Sequence, residues 1–124
     1  MKRNSVILTT GLSLPEAADV IHGAVASMGG VVDPVDHCVN ELPDERPDVA
    51  VVGSRTGLTD VWAVHASLTQ LPDTISVELV ALGGGKLVRA GQGARSTASL
   101  TKSTPQMYAI VDAMRSADPA LQLR

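Results

Sequence analysis

Continuous runs of apolar residues predict the strands of this chain. The runs at residues 5–9, 49–52 and 75–82 are bounded by turn residues, a pattern typical of strands that are buried on both faces. Two weaker segments, residues 31–32 and 97–101, are predicted to be a short strand and an edge strand. Buried runs of this kind favour a parallel sheet, because helices cover such a sheet on both sides.

Apolar residues at helical spacing predict helices between these strands. A capping box formed by Ser13 and Glu16 opens a helix over residues 14–28, and Gly29 ends it. Residues 34–42 and 84–91 are predicted to be two short helices. Residues 61–71 are predicted to form a third, with Val61, Trp62, His65 and Leu68 on one side.

The last predicted helix is capped by Thr104 and has Pro105 at its first position. Its inward side consists of Met107, Ile110, Val111 and Met114.

Strands that alternate with helices predict an α/β fold with three layers, a doubly wound parallel sheet as in flavodoxin. The alternative is an α+β fold with the order β-α-meander-α, in which residues 61–71 form a strand instead of a helix. In either case residues 1–118 are expected to form one domain, with residues 119–124 as the start of a linker or as a C-terminal tail.

Composition narrows the class of protein. The single cysteine, Cys38, cannot form an internal disulfide, and no apolar stretch approaches the ~20 residues that cross a bilayer. The first residues do not build the apolar core of a signal peptide, so we expect a cytoplasmic protein without a membrane segment. With no Phe, one Trp and one Tyr, the chain has few aromatic rings on which bases or flavins could stack.

Two segments carry a resemblance to a known family. Residues 46–52, Arg-Pro-Asp-Val-Ala-Val-Val, resemble the third strand of response-regulator receiver domains and its approach. Residues 93–115 resemble the fifth strand of that family, its lysine and the start and end of its final helix. Asp118 and Pro119 look like the start of the linker that precedes a LuxR-type helix-turn-helix. The resemblance implies a receiver-like domain over residues 1–118.

The chain departs from that family at the positions that carry its chemistry. The acids that hold a divalent ion and accept phosphoryl in working receivers fall here on Thr9, Thr10 and Gly53, and only Lys102 remains of the site. Mg²⁺ needs carboxylate oxygens, and without them nothing accepts or stabilises a phosphoryl group. The resemblance therefore implies a pseudo-receiver that is not an enzyme and binds no metal or cofactor.

As a pseudo-receiver, the chain would be a phosphorylation-independent module for protein interaction or dimerisation in a two-component-like transcription regulator. The net charge of −3 and the lack of a helix-turn-helix predict that any DNA contact comes from a domain outside this chain. The predicted dimer or partner interface consists of Lys86, Arg89, Arg95, Tyr108, Asp112 and Arg115. Tyr108 lies beside the inward stripe of the last helix, which suits a half-exposed anchor.

A small-molecule sensor is the second hypothesis. The predicted strand ends would gather a small, neutral cleft from Thr9, Thr10, Gly53, Ser54 and Gly83. Residues 9–13 also partly resemble the phosphate loop of flavodoxins, which implies flavin mononucleotide as a rival ligand, although Ser13 is already explained as a helix cap.

Histidine and cysteine side chains suggest no catalytic or metal site. Asp33, Asp36, His37 and Cys38 are metal-ligand types in one short segment, but adjacent side chains on a helix point about 100° apart. A solvated His37 and an inert Cys38 are favoured. His65 is predicted to be a partly buried imidazole whose hydrogen bonds are satisfied.

Overall fold

A computed structural model describes residues 5–34, 48–55, 62–82 and 100–123 of the chain. In these ranges, six strands form one sheet and two helices pack on one of its faces. In chain order the elements are β1 (Ser5–Thr10), α1 (Leu14–Ser27), β2 (Val31–Pro34), β3 (Val49–Arg55), β4 (Trp62–Gln70), β5 (Ile75–Leu82), α2 (Leu100–Ala117) and β6 (Gln122–Leu123).

The sheet has the strand order β2-β3-β4-β5-β1-β6, and every neighbouring pair is antiparallel. The predicted doubly wound parallel sheet is therefore wrong. Strands β2 to β5 follow one another along the chain and lie side by side, so the chain reverses direction at each connection instead of crossing over through a helix. The arrangement corresponds to the alternative β-α-meander-α order.

The predicted helix at residues 61–71 is strand β4, and its burial explains the error. Trp62 and Leu68 face the helices, whereas His65 faces the other side of the sheet, and all residues from 62 to 68 are buried. A strand buried on both sides need not alternate apolar and polar residues along its whole length, and β4 does so only over residues 64–69. Three side chains spaced three residues apart then imitate one side of a helix.

Strand β3 runs further than predicted, through Arg55. Gly53 and Ser54, which were expected just after the strand, are therefore paired inside the sheet with Val64 and Ala63. The longer strand removes the expected loop at a strand end, and with it the basis for a cleft at that position.

Helix α1 confirms the predicted capping box. The hydroxyl of Ser13 accepts a hydrogen bond from the Glu16 backbone N–H, and the Glu16 carboxylate accepts one from the Ser13 backbone N–H. Gly29 follows the helix with a φ of 77°, the left-handed conformation that favours glycine. Gly30 passes so close to Trp62 that an added Cβ would lie 2.9 Å from the indole ring.

Helix α2 begins earlier than predicted. It starts at Leu100 and contains Pro105, so Leu100 and Thr101 are helical instead of forming the end of an edge strand. The predicted inward stripe is confirmed, since Met107, Ile110, Val111 and Met114 are all buried.

The core lies between the helices and one face of the sheet. Its strand residues are alternate positions that face the helices: Val6, Leu8, Val51, Trp62, Val64, Ala66, Leu68, Ile75, Val77, Leu79 and Ala81. Across from them α1 contributes Ala17, Ile21, Ala24 and Val25 beside the inward stripe of α2. The remaining strand positions form the opposite face of the sheet, which we call the far face.

The predicted helices at residues 34–42 and 84–91 lie outside the described residues, apart from Pro34, which ends β2.

Candidate functional site

The far face combines buried and exposed residues. The pairing registers bring Ser54 of β3, His65 and Ser67 of β4, and Glu78 of β5 to this face, because paired residues point to the same side of a sheet. Burial is nearly complete around His65 and decreases towards β1, where Ile7 is 36% exposed. The far face therefore places buried polar groups next to a surface that solvent reaches.

His65 is the central polar residue of this face. Its side chain is only 1% exposed, and its Nδ1 lies 3.3 Å from the hydroxyl oxygen of Ser67. Its Nε2 is buried and has no hydrogen-bond partner among the residues that the structure describes. Burial lowers the pKa of His65 to about 4, because the charged imidazolium loses its hydration. The imidazole is therefore neutral at physiological pH.

Ser54 adds a second polar atom without a partner. Its side chain is fully buried, and its Oγ makes no hydrogen bond within the described part of the chain. Ser54 pairs with Ala63, and His65 pairs with Val52, so Ser54 and His65 are diagonal neighbours on the same face of adjacent strands. Diagonal neighbours have Cα atoms ~7–8 Å apart, within reach of one small group placed between the two side chains.

The charges of the far face are acidic. Glu78 lies opposite Ser67 in the pairing of β4 and β5, and Asp33 lies opposite Val52 in the pairing of β2 and β3. Among the far-face residues that the structure describes there is no Lys or Arg. The charged residues that the structure describes on this surface are therefore acids.

The Ser67–His65 contact has the form of a nucleophile and its base, but the chemistry is unfavourable. A general base works best when its pKa is near the operating pH. With a pKa of about 4, His65 is a weak acceptor of the Ser67 proton. The pair is therefore suited to hydrogen bonding rather than to proton transfer.

Thr10, the last residue of β1, belongs to a separate hydrogen-bond network around Asp118. Its hydroxyl donates to Asp118 Oδ2 over 2.7 Å, and the backbone N–H of Gly11 donates to the same oxygen over 2.9 Å. The backbone N–H of Ala120 donates to the other carboxylate oxygen, Oδ1, over 3.1 Å. The hydrogen bonds from Thr10 and Gly11 lower the pKa of Asp118 below its ordinary value. Asp118, expected at the boundary between the domain and the linker, thus ties the turn after α2 to the turn before α1.

The structure does not bring the predicted cleft residues together. Gly53 and Thr10 belong to β3 and β1, which are separated by β4 and β5, so three strand spacings put them at least roughly 14 Å apart. Gly53 also faces the helices, and an added Cβ would lie 2.6 Å from Val25 Cγ2. Thr9 lies on the far face of β1, and Gly83 lies outside the described residues.

The other predicted positions are partly described. Lys102 lies in the first turn of α2 instead of at a strand end. Tyr108 is 40% exposed, and Asp112 and Arg115 are exposed at helical spacing from it, so these three share one side of α2. Their role in an interface stays a prediction. The remaining predicted interface and metal-ligand residues lie outside the described residues: Lys86, Arg89, Arg95, Asp36, His37 and Cys38.

Reasoning from sequence missed the His65 site. His65 was expected to be a satisfied imidazole on a helix, but it is on a strand and one of its nitrogens has no partner. The available signal was the alternation of His65 and Ser67 with Val64 and Ala66, which has the period of a strand. Ser54 was included in the predicted cleft with Thr9 and Thr10, whereas in the structure it lies beside His65.

Searches for two further features were negative within the described ranges. No three or more His, Cys, Asp or Glu side chains there are grouped so that they could hold a metal ion. Neither α1 nor α2 combines the length and the apolar character that a membrane-spanning helix needs.

Comparison with models of known protein families gives no match to this chain, and neither does comparison with curated proteins. The function must therefore be inferred from the site itself.

Proposed function

We propose that this chain is a non-catalytic binding domain that holds a small molecule on the far face of its sheet, beside Ser54 and His65. The observation that carries this proposal is the pair of buried polar atoms, Ser54 Oγ and His65 Nε2, that have no hydrogen-bond partner. A ligand that bonds to both atoms would satisfy them.

Buried polar atoms without a hydrogen-bond partner are rare in folded proteins. A buried polar group without a partner destabilises the folded state by about 1–3 kcal/mol. Most buried polar side chains in proteins are paired, and exceptions concentrate at functional sites. Ser54 and His65 are two such unpaired groups on adjacent strands of one face. One ligand shared by both therefore explains them better than two unrelated defects in packing.

The non-catalytic part of the proposal is supported by the basicity of His65. Since burial lowers the pKa of this imidazole to about 4, it is a poor general base for Ser67. Binding requires only a neutral hydrogen-bonding group at that position.

The regulatory role implied by the receiver resemblance stays a prediction that rests on residues 46–52 and 93–115 alone. The antiparallel sheet lends it no support, because the resemblance implies parallel strands. A cytoplasmic location, a homodimer or protein partner at Tyr108, and DNA contact through a domain outside this chain are likewise proposals from sequence. A binding domain is compatible with each of them.

A thermal-shift screen tests the proposal. We expect at least one uncharged compound in a panel of metabolites that also includes flavin mononucleotide to raise the melting temperature, by roughly 10 °C at a hundred times its Kd. The variant His65→Leu should lose this shift, whereas His22→Gln, which changes an exposed histidine of α1, should keep it. Equal shifts in wild type and His65→Leu, or no shift with any compound, would contradict the proposal.

A further inference from the structure

The contact between Ser67 and His65 fits either neutral tautomer of the imidazole, and we assign the proton to Nε2. A neutral imidazole has one N–H and one acceptor nitrogen, and the hydrogen bond at one nitrogen determines the state of the other. The Ser67 hydroxyl, 3.3 Å from Nδ1, can donate to that nitrogen when the proton is on Nε2. This is also the tautomer that a free neutral imidazole prefers in water. His65 Nε2 is then a buried N–H donor without an acceptor.

Ser54 supplies a second donor on the same face. Its hydroxyl can rotate, so its hydrogen can point towards the side on which His65 lies. Two donors on diagonal neighbours of adjacent strands favour a single acceptor oxygen, because one oxygen has two lone pairs.

Charge then restricts the kind of oxygen. A carboxylate or phosphate would have to leave water for a face where Glu78 is close and where the described residues offer no Lys or Arg. Burying an anion without a cationic partner is strongly unfavourable. An ammonium group would gain from Glu78 but cannot accept a hydrogen bond from Nε2–H.

The neighbouring surface is apolar. Val80, which pairs with His65, is partly exposed, and Ile7, two strands from Ser67, is 36% exposed. An apolar group attached to the acceptor oxygen would lie over these side chains and lose contact with water.

Resting on the proposed function, we infer that the ligand is an uncharged carbonyl compound with an apolar body, whose oxygen accepts hydrogen bonds from His65 Nε2–H and Ser54 Oγ–H. An amide, lactone or ketone meets this description. A flavin mononucleotide phosphate does not, because it is an anion.

Three probes of matched size and different charge test the inference: benzamide, benzoate and benzylamine. Each is added to protein labelled with ¹⁵N on histidine, at concentrations up to about 10 mM, since the Kd of a fragment of this size is on the order of 1 mM. Nuclear magnetic resonance reports the His65 and His22 ring nitrogens separately. We expect benzamide to shift the His65 Nε2 signal, with at least about tenfold lower affinity for benzoate and benzylamine, and no shift at His22.

Two variants separate binding from folding. Ser54→Ala removes one donor and should weaken benzamide binding by about tenfold, the equivalent of one hydrogen bond, whereas Ser76→Ala on the same face should not. If benzoate or benzylamine binds at His65 as tightly as benzamide, the carbonyl inference is wrong while the binding site stands. If none of the probes moves the His65 signal, both the inference and the proposed site are wrong.

Discussion

Val25 of α1 lies directly over Gly53 of β3, so closely that a Cβ at position 53 would be 2.6 Å from Val25 Cγ2. This contact gives a structural reason for glycine where the receiver resemblance implies an aspartate. The position is part of the interface between helix and sheet, and a carboxylate there would be buried against an apolar side chain. Restoring the acid would disrupt packing and would create no phosphoryl acceptor.

A double-mutant cycle tests this packing relationship. We predict that Gly53→Ala destabilises the protein by about 1–3 kcal/mol, because the added methyl overfills the space under Val25. Val25→Ala also destabilises, but the double variant should be more stable than the sum of the two single effects by at least about 0.5 kcal/mol. Denaturant unfolding measures all four proteins. Simple additivity would show that the two residues are not in contact.

Asp118 is predicted to stabilise the two turns that it joins. Asp118→Asn should lower the melting temperature at pH 7, because the carboxylate that accepts from Thr10 and Gly11 is lost, whereas Asp112→Asn on the exposed side of α2 should have little effect. Since the folded pKa of Asp118 is lowered, its stabilisation is present above its ordinary value and decreases as pH falls below about 4. An unchanged gap between wild type and Asp118→Asn in strong acid would argue against the carboxylate as its cause.

Ser103 is predicted to be a major determinant of stability. Its hydroxyl donates to the Leu82 carbonyl over 2.7 Å and accepts from the Ala63 backbone N–H over 3.0 Å, and all of these groups are buried. Ser103→Ala leaves both backbone groups without a partner, so we expect a loss of about 3 kcal/mol in the free energy of unfolding. The exposed Ser116→Ala is the control, with an effect within about 0.5 kcal/mol. Equal effects of the two changes would refute this role.

Stability should also depend on the protonation of His65. Its folded pKa of about 4 lies below its unfolded value, so the unfolded state binds the proton more strongly. Stability from this group is therefore constant above about pH 6.5 and falls between that pH and 4, by a total of roughly 3 kcal/mol. Among the residues that the structure describes, the charged groups that share the far face are Asp33 and Glu78.

The pH profile of unfolding for wild type and His65→Leu isolates this contribution. As the pH falls from about 6.5 to 4, the free energy of unfolding of wild type should decrease relative to that of His65→Leu. His22→Gln should follow wild type. A difference that does not depend on pH would mean that His65 is not titrating from a buried, neutral state.

Local features of the fold were predictable from the sequence, and the reason is physical. The capping box of Ser13 and Glu16 involves residues three apart, so its geometry follows from the helix itself. The inward stripe of α2 was visible because only one side of that helix is buried. Helices and caps of this kind depend little on the rest of the chain.

The sheet and the site depend on contacts that a sequence pattern does not reveal. Strand β4 is buried on both faces, so its alternation covers only residues 64–69, too little to outweigh the helical spacing of Trp62, His65 and Leu68. The hydrogen bond between Thr10 and Asp118 joins residues 108 positions apart. Apolar runs indicated buried strands without indicating their direction, and a parallel sheet was inferred where the chain folds into a meander.

We propose that Ser54 and His65 are polar and without partners among the described residues because they bind a ligand, and that they destabilise the ligand-free protein. Ser54→Ala combined with His65→Leu replaces both groups with apolar ones of similar size, and its free energy of unfolding can be compared with that of wild type at pH 7.5. We predict that the ligand-free double variant is more stable by about 1–2 kcal/mol, because two unsatisfied buried groups are removed. A double variant that is less stable than wild type by more than about 1 kcal/mol would contradict the claim, because the two groups would then have partners within the folded protein.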